Sequence, residues 1–110
     1  MAFTPYHNID GSDGLDVELI KQGSNVQCIK SISIANTHAT ADATVSLFIQ
    51  NDPTAASAST FRIISTVAIP SDVTLTLDND TIPNFNNSSN GYGLYLTVGS
   101  SDTLDVIINV

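Results

Sequence analysis

Apolar residues recur at every second position along most of the chain. Val45, Leu47 and Ile49 alternate with Thr44, Ser46 and Gln50, and Val73, Leu75 and Leu77 alternate with Thr74 and Thr76. Further runs of this kind are Leu15, Val17 and Leu19; Val26, Cys28, Ile32 and Ile34; Phe61, Ile63, Val67 and Ile69; Tyr92, Leu94, Leu96 and Val98; and Leu104, Val106, Ile108 and Val110. Side chains of a strand point alternately to its two faces, so a period of two marks a half-buried strand. No stretch sustains the three-and-four spacing of an amphipathic helix. The runs are also dense in Val, Ile and Thr, whose branched side chains suit a pleated surface.

Turn residues separate the runs: Gly23-Ser24-Asn25, Asn51-Asp52-Pro53, Pro70-Ser71-Asp72, Asn90-Gly91 and Gly99-Ser100-Ser101-Asp102. They supply positive φ, a fixed φ, or a side chain that bonds its own backbone. The pattern predicts an all-β domain of about seven to eight short strands with almost no helix, folded as one antiparallel β-sandwich of jelly-roll or immunoglobulin-like type.

The expected sandwich covers residues 15–110. Residues 1–14, MAFTPYHNIDGSDG, carry Phe3 and Tyr6 without alternation and read as an N-terminal arm that contacts a neighbouring subunit or frays. PTAASAST at 53–60 reads as a surface loop, and DNDTIPNFNNSSNG at 78–91 is the longest irregular stretch.

A chain of 110 residues fits one core. Its single cysteine excludes an internal disulfide and a thiolate-rich zinc cluster. By phase with Val26, Ile32 and Ile34, Cys28 reads as a small buried hydrophobe. Eleven acids against three cations give a formal charge of −8, which argues against nucleic-acid binding. Met1 leads directly into Ala2-Phe3-Thr4-Pro5 with no signal-peptide pattern, and the apolar runs are too short to span a bilayer. The expectation is therefore synthesis in a cytoplasm and no membrane partner.

Candidate chemistry is sparse. Asp10, Asp13, Asp16, Asp78, Asp80, Asp102 and Asp105 are spread over turns, with no spacing that forces a catalytic pair. Neither the 10–16 segment nor Asp78-Asn79-Asp80 matches an EF-hand loop, and His7, His38 and Cys28 lack zinc spacing. His38 and Asp42 lie in the bridge between two runs, in SISIANTHATADATVSLFI. That bridge is explained by small residues that let strands turn or cross between sheets, with Asn36, Thr37 and Asp42 able to bond local backbone. The N-x-[ST] matches at Asn79, Asn86 and Asn87 read as chance products of an Asn-rich loop. No catalytic residue, cofactor or metal is expected.

The stretch IKSISIANTHATADATV, residues 29–45, resembles small β-sandwich virion proteins of tailed bacteriophages, particularly marine and cyanobacterial phages. In those proteins a strand ending Ile-x-Ile-x-Asn precedes a small-residue loop and a strand opening Ala-Thr-Val. Val67-Ala68-Ile69-Pro70 and Leu104-Asp105-Val106-Ile107-Ile108 extend the likeness more weakly. Where similar proteins place a Pro-x-Gly-Lys turn, this chain has Lys21-Gln22-Gly23-Ser24.

The resemblance implies a non-catalytic structural subunit present in many copies. Its partners would be copies of itself and other virion proteins, either the major capsid protein or tail and neck proteins. Composition agrees, since charged residues are only 13% of the chain and short neutral side chains lose little entropy on immobilisation. A charge of −8 would be repelled by packaged DNA, so the exterior of the capsid, as a decoration or cement protein, comes first. An accessory protein of the neck, tail or baseplate comes second.

Candidate subunit contacts are Phe3, Tyr6, Ile64 and Ile107, the last two being out of phase with their strands; a bulge or a second buried face would explain that phase equally. The alternative of another class is a glycan-binding module for host recognition, with Asn84, Asn86, Tyr92 and Tyr95 as its contacts.

Overall fold

The computed structural model describes residues 5–13, 15–26, 28–51, 59–82, 85–89 and 91–110. Eight strands run in chain order: β1 (Tyr6–Asp10), β2 (Asp16–Ile20), β3 (Ser31–Asn36), β4 (Ala43–Gln50), β5 (Thr60–Ile69), β6 (Thr74–Asp78), β7 (Gly93–Thr97) and β8 (Thr103–Asn109). The one helical element among the described residues is a single 3-10 turn, Gly11–Asp13, between β1 and β2.

The strands form two four-stranded antiparallel sheets, ordered β1-β8-β3-β6 and β2-β7-β4-β5. First pairs with last: β1 with β8, β2 with β7, β3 with β6 and β4 with β5. The chain thus folds back on itself as one long hairpin, and the pairings β3 with β8 and β4 with β7 wrap that hairpin into two layers. This is the jelly-roll arrangement. An immunoglobulin-like sandwich instead sets three or more strands against four with a different neighbour order. Every connection except that between β4 and β5 passes from one sheet to the other. The 37–42 bridge is accordingly a crossing between layers.

Alternation builds the core. Ile32 and Ile34 of β3 lie beside Ile108 and Val106 of β8 and beside Leu77 and Leu75 of β6. Val45, Leu47 and Ile49 face them from β4, with Leu94 and Leu96 from β7. Each such fully buried aliphatic side chain contributes about 1.5–3 kcal/mol by leaving water. Ile82 and Phe85, embedded in the irregular 78–91 stretch, are buried in the same cluster and fasten that loop to it. The expected turns take their expected conformations at Gly23, Asn25 and Asp72, with φ of 90°, 61° and 60°.

Three expectations from the sequence change. Residues 6–10, placed in the arm, form β1 and pair over their whole length with β8, so the sandwich begins at Tyr6 and not at residue 15. The pattern misses this strand because an edge strand of five residues buries only Ile9 fully and His7 in part. Cys28 is exposed, not buried. It precedes β3 outside any strand, and its neighbour Ile29 enters the core instead.

Ile64 does not stand on the outer face. It lies opposite Leu47, half-buried against the core, because the β4–β5 ladder slips between Val45 and Leu47 and again between Leu47 and Phe48. The first slip leaves Ser65 and Thr66 of β5 opposite Ser46, with Thr66 at φ 53° and its N–H donated to Ser46 Oγ at 2.8 Å. These are β-bulges, each carrying one more residue on β5 than on β4.

Candidate functional site

The outer face of the β1-β8-β3-β6 sheet is built mostly from short neutral side chains, with Asp10, Asp105 and Asp78 among them. The register aligns Tyr6, Ile107, Ser33 and Thr76 in one row across the four strands, and Asn8, Asp105, Ala35 and Thr74 in the next. Cross-strand hydrogen bonds fix the polar members: Asn8 Nδ2 donates to Asp105 Oδ1 at 2.6 Å, and Asn109 Nδ2 to Ser31 Oγ at 2.9 Å. Tyr6 is 67% exposed and Ile107 50% exposed, side by side on this face. Two of the contact residues read from the sequence therefore form one apolar spot, whereas Phe3 lies outside the described residues.

The bridge is a structural joint. Asn36 continues the inward phase of Ile32 and Ile34 and is buried at the end of β3. Its Nδ2 donates to the carbonyls of Ala41 and Ile69, both at 2.9 Å, and its Oδ1 accepts the N–H of His38 at 3.0 Å. His38 Nδ1 in turn accepts the N–H groups of Thr40 and Ala41 at 3.2 and 3.1 Å. The lone pair that a general base would use is thus directed at the bridge's own backbone.

Asp102 closes the same end of the sandwich. Buried beside Gly99, it accepts the N–H of Gly99 at 2.7 Å and of Thr44 at 3.2 Å on Oδ2, while its carbonyl accepts the N–H of Gly11 at 2.8 Å. Gly11 is required there, because a Cβ would collide with the carbonyl of Gly99.

The opposite end is organised by Asn87, which is fully buried. Its Oδ1 accepts the N–H of Val26 at 2.8 Å, and its Nδ2 donates to the carbonyls of Tyr92 at 2.7 Å and Lys21 at 3.1 Å. Its own carbonyl accepts from Gly23 and Asn25, so one residue ties the 21–26 loop to the loop before β7. Among the suspected sugar contacts, Asn86 is exposed and Tyr92 half-buried. Tyr95 is buried, stacked on Phe48 at 5.8 Å with its ring over Gly93, so it offers no open aromatic face. Asn84 lies outside the described residues. The structure adds Phe61, 57% exposed, whose ring sits 5.8 Å from that of Tyr92 at a tilt of 56°.

Along the edge shared by β1 and β2, a cleft of about 310 Å³ is lined by Asn8, Ile9, Asp10, Asp13, Asp16, Val17 and Glu18. The Ser12 hydroxyl and backbone N–H, 2.7 and 3.0 Å from Asp10 Oδ1, hold that carboxyl below the usual aspartate range. Among the described residues no group of three or more His, Cys, Asp or Glu side chains is placed to hold a metal ion. The inward-facing His7 keeps Nε2 buried with no hydrogen-bond partner among the described residues.

Sequence reasoning missed the structural importance of Asn87 and Asp102. Asn36 was accessible to it, because an Asn in the inward phase of a strand must find internal partners. Asn87 sits in an aperiodic loop, where the pattern assigns no inward position. No protein-family model, curated protein or solved structure matches the chain.

Proposed function

We propose that the chain is a non-catalytic structural subunit of a tailed-phage virion, placed on the capsid exterior as a decoration or cement protein. The observation that carries this reading is the division of labour among its polar groups. The residues best suited to chemistry, His38 and Asp102, are spent on backbone hydrogen bonds at the sheet crossings. The outer face bearing Tyr6 and Ile107 is mostly neutral and keeps those two side chains exposed. Short uncharged side chains of that kind lose little entropy when a contact immobilises them. The 29–45 resemblance supports the same reading, and the charge of −8 favours the outside of a shell filled with DNA. A jelly roll serves capsid and lectin domains alike, so the fold by itself does not choose between them.

Mass spectrometry of purified virions tests the proposal. The chain should be present in many copies per particle and should label from the outside with a membrane-impermeant reagent. Its presence in infected-cell lysate together with absence from purified particles would refute the proposal. A small stoichiometric count at the neck or baseplate would move the same subunit to the accessory position.

The exposed Phe61–Tyr92 ring pair favours a second reading, a glycan-binding module for host recognition. Aromatic faces beside the exposed amide of Asn86 could receive a sugar ring. Binding on a broad glycan panel that is lost in both Phe61→Ala and Tyr92→Ala would support it, and silence across the panel would remove it.

A further inference from the structure

The β2-β7-β4-β5 sheet ends in two edge strands of opposite character, neither with a second partner among the described residues. Glu18, Tyr95, Phe48 and Arg62 are successive register partners, one from each strand, so they form a single row from edge to edge. At one end of the row, β2 carries Asp16 and Glu18; at the other, β5 runs for ten residues with Arg62 as its sole charged residue. Arg62 and Glu18 are both exposed. Within one molecule they stand three strand spacings apart, about 14 Å, too far to pair.

We infer that copies of this chain associate head to tail, the β5 edge of one against the β2 edge of the next, with Arg62 of one copy beside Glu18 of its neighbour. Strand direction allows it. Each strand of the sheet is antiparallel to its neighbour and the number of strands is even, so β5 is antiparallel to β2. A second copy placed alongside in the same orientation therefore continues an antiparallel sheet and keeps its outer face outward. The row then becomes continuous across copies, with its two ends of opposite charge meeting.

Electrostatics selects this contact over a two-fold one. A charge of −8 per copy disfavours most self-contacts, and β5 is a long edge without an acid. A β5-to-β5 dimer would set each Arg62 against a strand that carries no acid and leave Glu18 unused, whereas the head-to-tail contact pairs Arg62 with Glu18. Phe61, also exposed, adds apolar area on the same edge. The bulges of β5 limit pairing to part of its length, so the contact is weak between free molecules and strong only when many copies are held together. A heterologous contact of this kind closes into rings or grows as a row.

This inference deepens the virion-subunit reading by naming the self-contact, and its test needs no particle. Sedimentation velocity of the full chain up to about 1 mM should show concentration-dependent association beyond a dimer. Arg62→Glu or Glu18→Arg alone should weaken it at least about tenfold, and the two together should restore it. Unchanged thermal melts of these variants, with Arg62→Gln as a milder alternative, separate a lost contact from a lost fold. In a Cys28→Ser background, Arg62→Cys with Glu18→Cys should oxidise to a ladder of covalent oligomers. A monomer throughout the range, a closed dimer, or association indifferent to Arg62→Glu would overturn the inference. The chain's presence in virions would then still stand, just as its absence from virions would leave a demonstrated self-contact intact.

Discussion

Tyr6 of β1 and Ile107 of β8 are register partners on the solvent side of their sheet, and both keep at least half of their surface in water. Opposed pairs of this type stabilise a strand pair by about 0.2–1 kcal/mol. Tyr6→Ser and Ile107→Thr should therefore cost about 1 kcal/mol or less in urea unfolding. If this face docks on a virion partner, the same substitutions should sharply reduce incorporation into particles, because truncated apolar anchors at a contact commonly cost 1 kcal/mol or more of binding. Quantifying the subunit in purified particles beside the unfolding curve of each variant checks both halves.

Asn87 and Asn86 are adjacent and opposite in consequence. Asn87 is fully buried, and its side-chain hydrogen bonds go to backbone of the 21–26 loop and of Tyr92 in its own loop, whereas Asn86 is exposed and its side-chain Oδ1 accepts the N–H of Ser88 two residues on. Removing a buried amide leaves the N–H of Val26 and the carbonyls of Lys21 and Tyr92 unsatisfied, at about 1–3 kcal/mol for each buried group. Asn87→Ala should cost about 3–4 kcal/mol or prevent folding, and Asn86→Ala about 0.5 kcal/mol. Asn87→Asp should fail nearly as badly, since a carboxylate has no proton to donate to the two carbonyls. Chemical denaturation of the three variants orders them.

The sandwich is legible from sequence where a strand is flanked on both sides. β3 and β8 lie in the middle of their sheet, and Ile32, Ile34, Leu104, Val106 and Ile108 reproduce the alternation without a break. Edges are harder. β1 has one partner strand and a half-buried histidine in its inward phase, so Tyr6–Asp10 carries too little contrast to register as a strand. β5 has the contrast but loses its phase at two bulges, which bring Ile64 against the core beside Ile63. Cys28 fails for a different reason: alternation is extended backwards from β3 into a loop where no ladder enforces it.

The contact residues divide along the same line. Ile107 was recoverable because β8 is regular, and the outward phase of a regular strand means exposure. Tyr95 was misleading because outward phase does not mean exposure beside a glycine. Its ring lies over Gly93 and against Phe48, a cross-strand arrangement that depends on the β4–β7 register. Long-range register is what one sequence does not display.

Acid pH should act visibly on the β1–β2 turn. The Ser12 hydroxyl and N–H stabilise the ionised form of Asp10, so its folded pKa lies below the ordinary 3.8. The stabilisation from this group is present above the ordinary value and is lost as the pH falls through the lowered folded pKa. Ser12→Ala should move the Asp10 titration midpoint upward, leaving stability at neutral pH almost unchanged because the carboxyl is solvated. Carboxyl-detected NMR titration of the two proteins reads the midpoint directly, and an unmoved midpoint would show that Ser12 is not its cause.

Thr66 holds φ of 53° inside the first bulge of β5, a left-handed conformation that a β-branched residue adopts only under constraint. The constraint is its N–H bond to Ser46 Oγ from the facing strand. Left-handed backbone costs an L-residue about 1–2 kcal/mol, while glycine adds about 0.5–1 kcal/mol of lost chain entropy. Thr66→Gly should therefore raise stability slightly, by about 0.5–1 kcal/mol, with the bulge preserved. Ser46→Ala should lower it by about 1 kcal/mol, because the N–H loses its partner. In the double variant glycine still adopts the turn without strain, so the gain from Thr66→Gly should persist after Ser46→Ala. A double-mutant cycle of urea midpoints measures this. If Thr66→Gly instead destabilises by 1 kcal/mol or more, the bulge is held by the threonine side chain, and the strain attributed to its backbone is not the controlling energy.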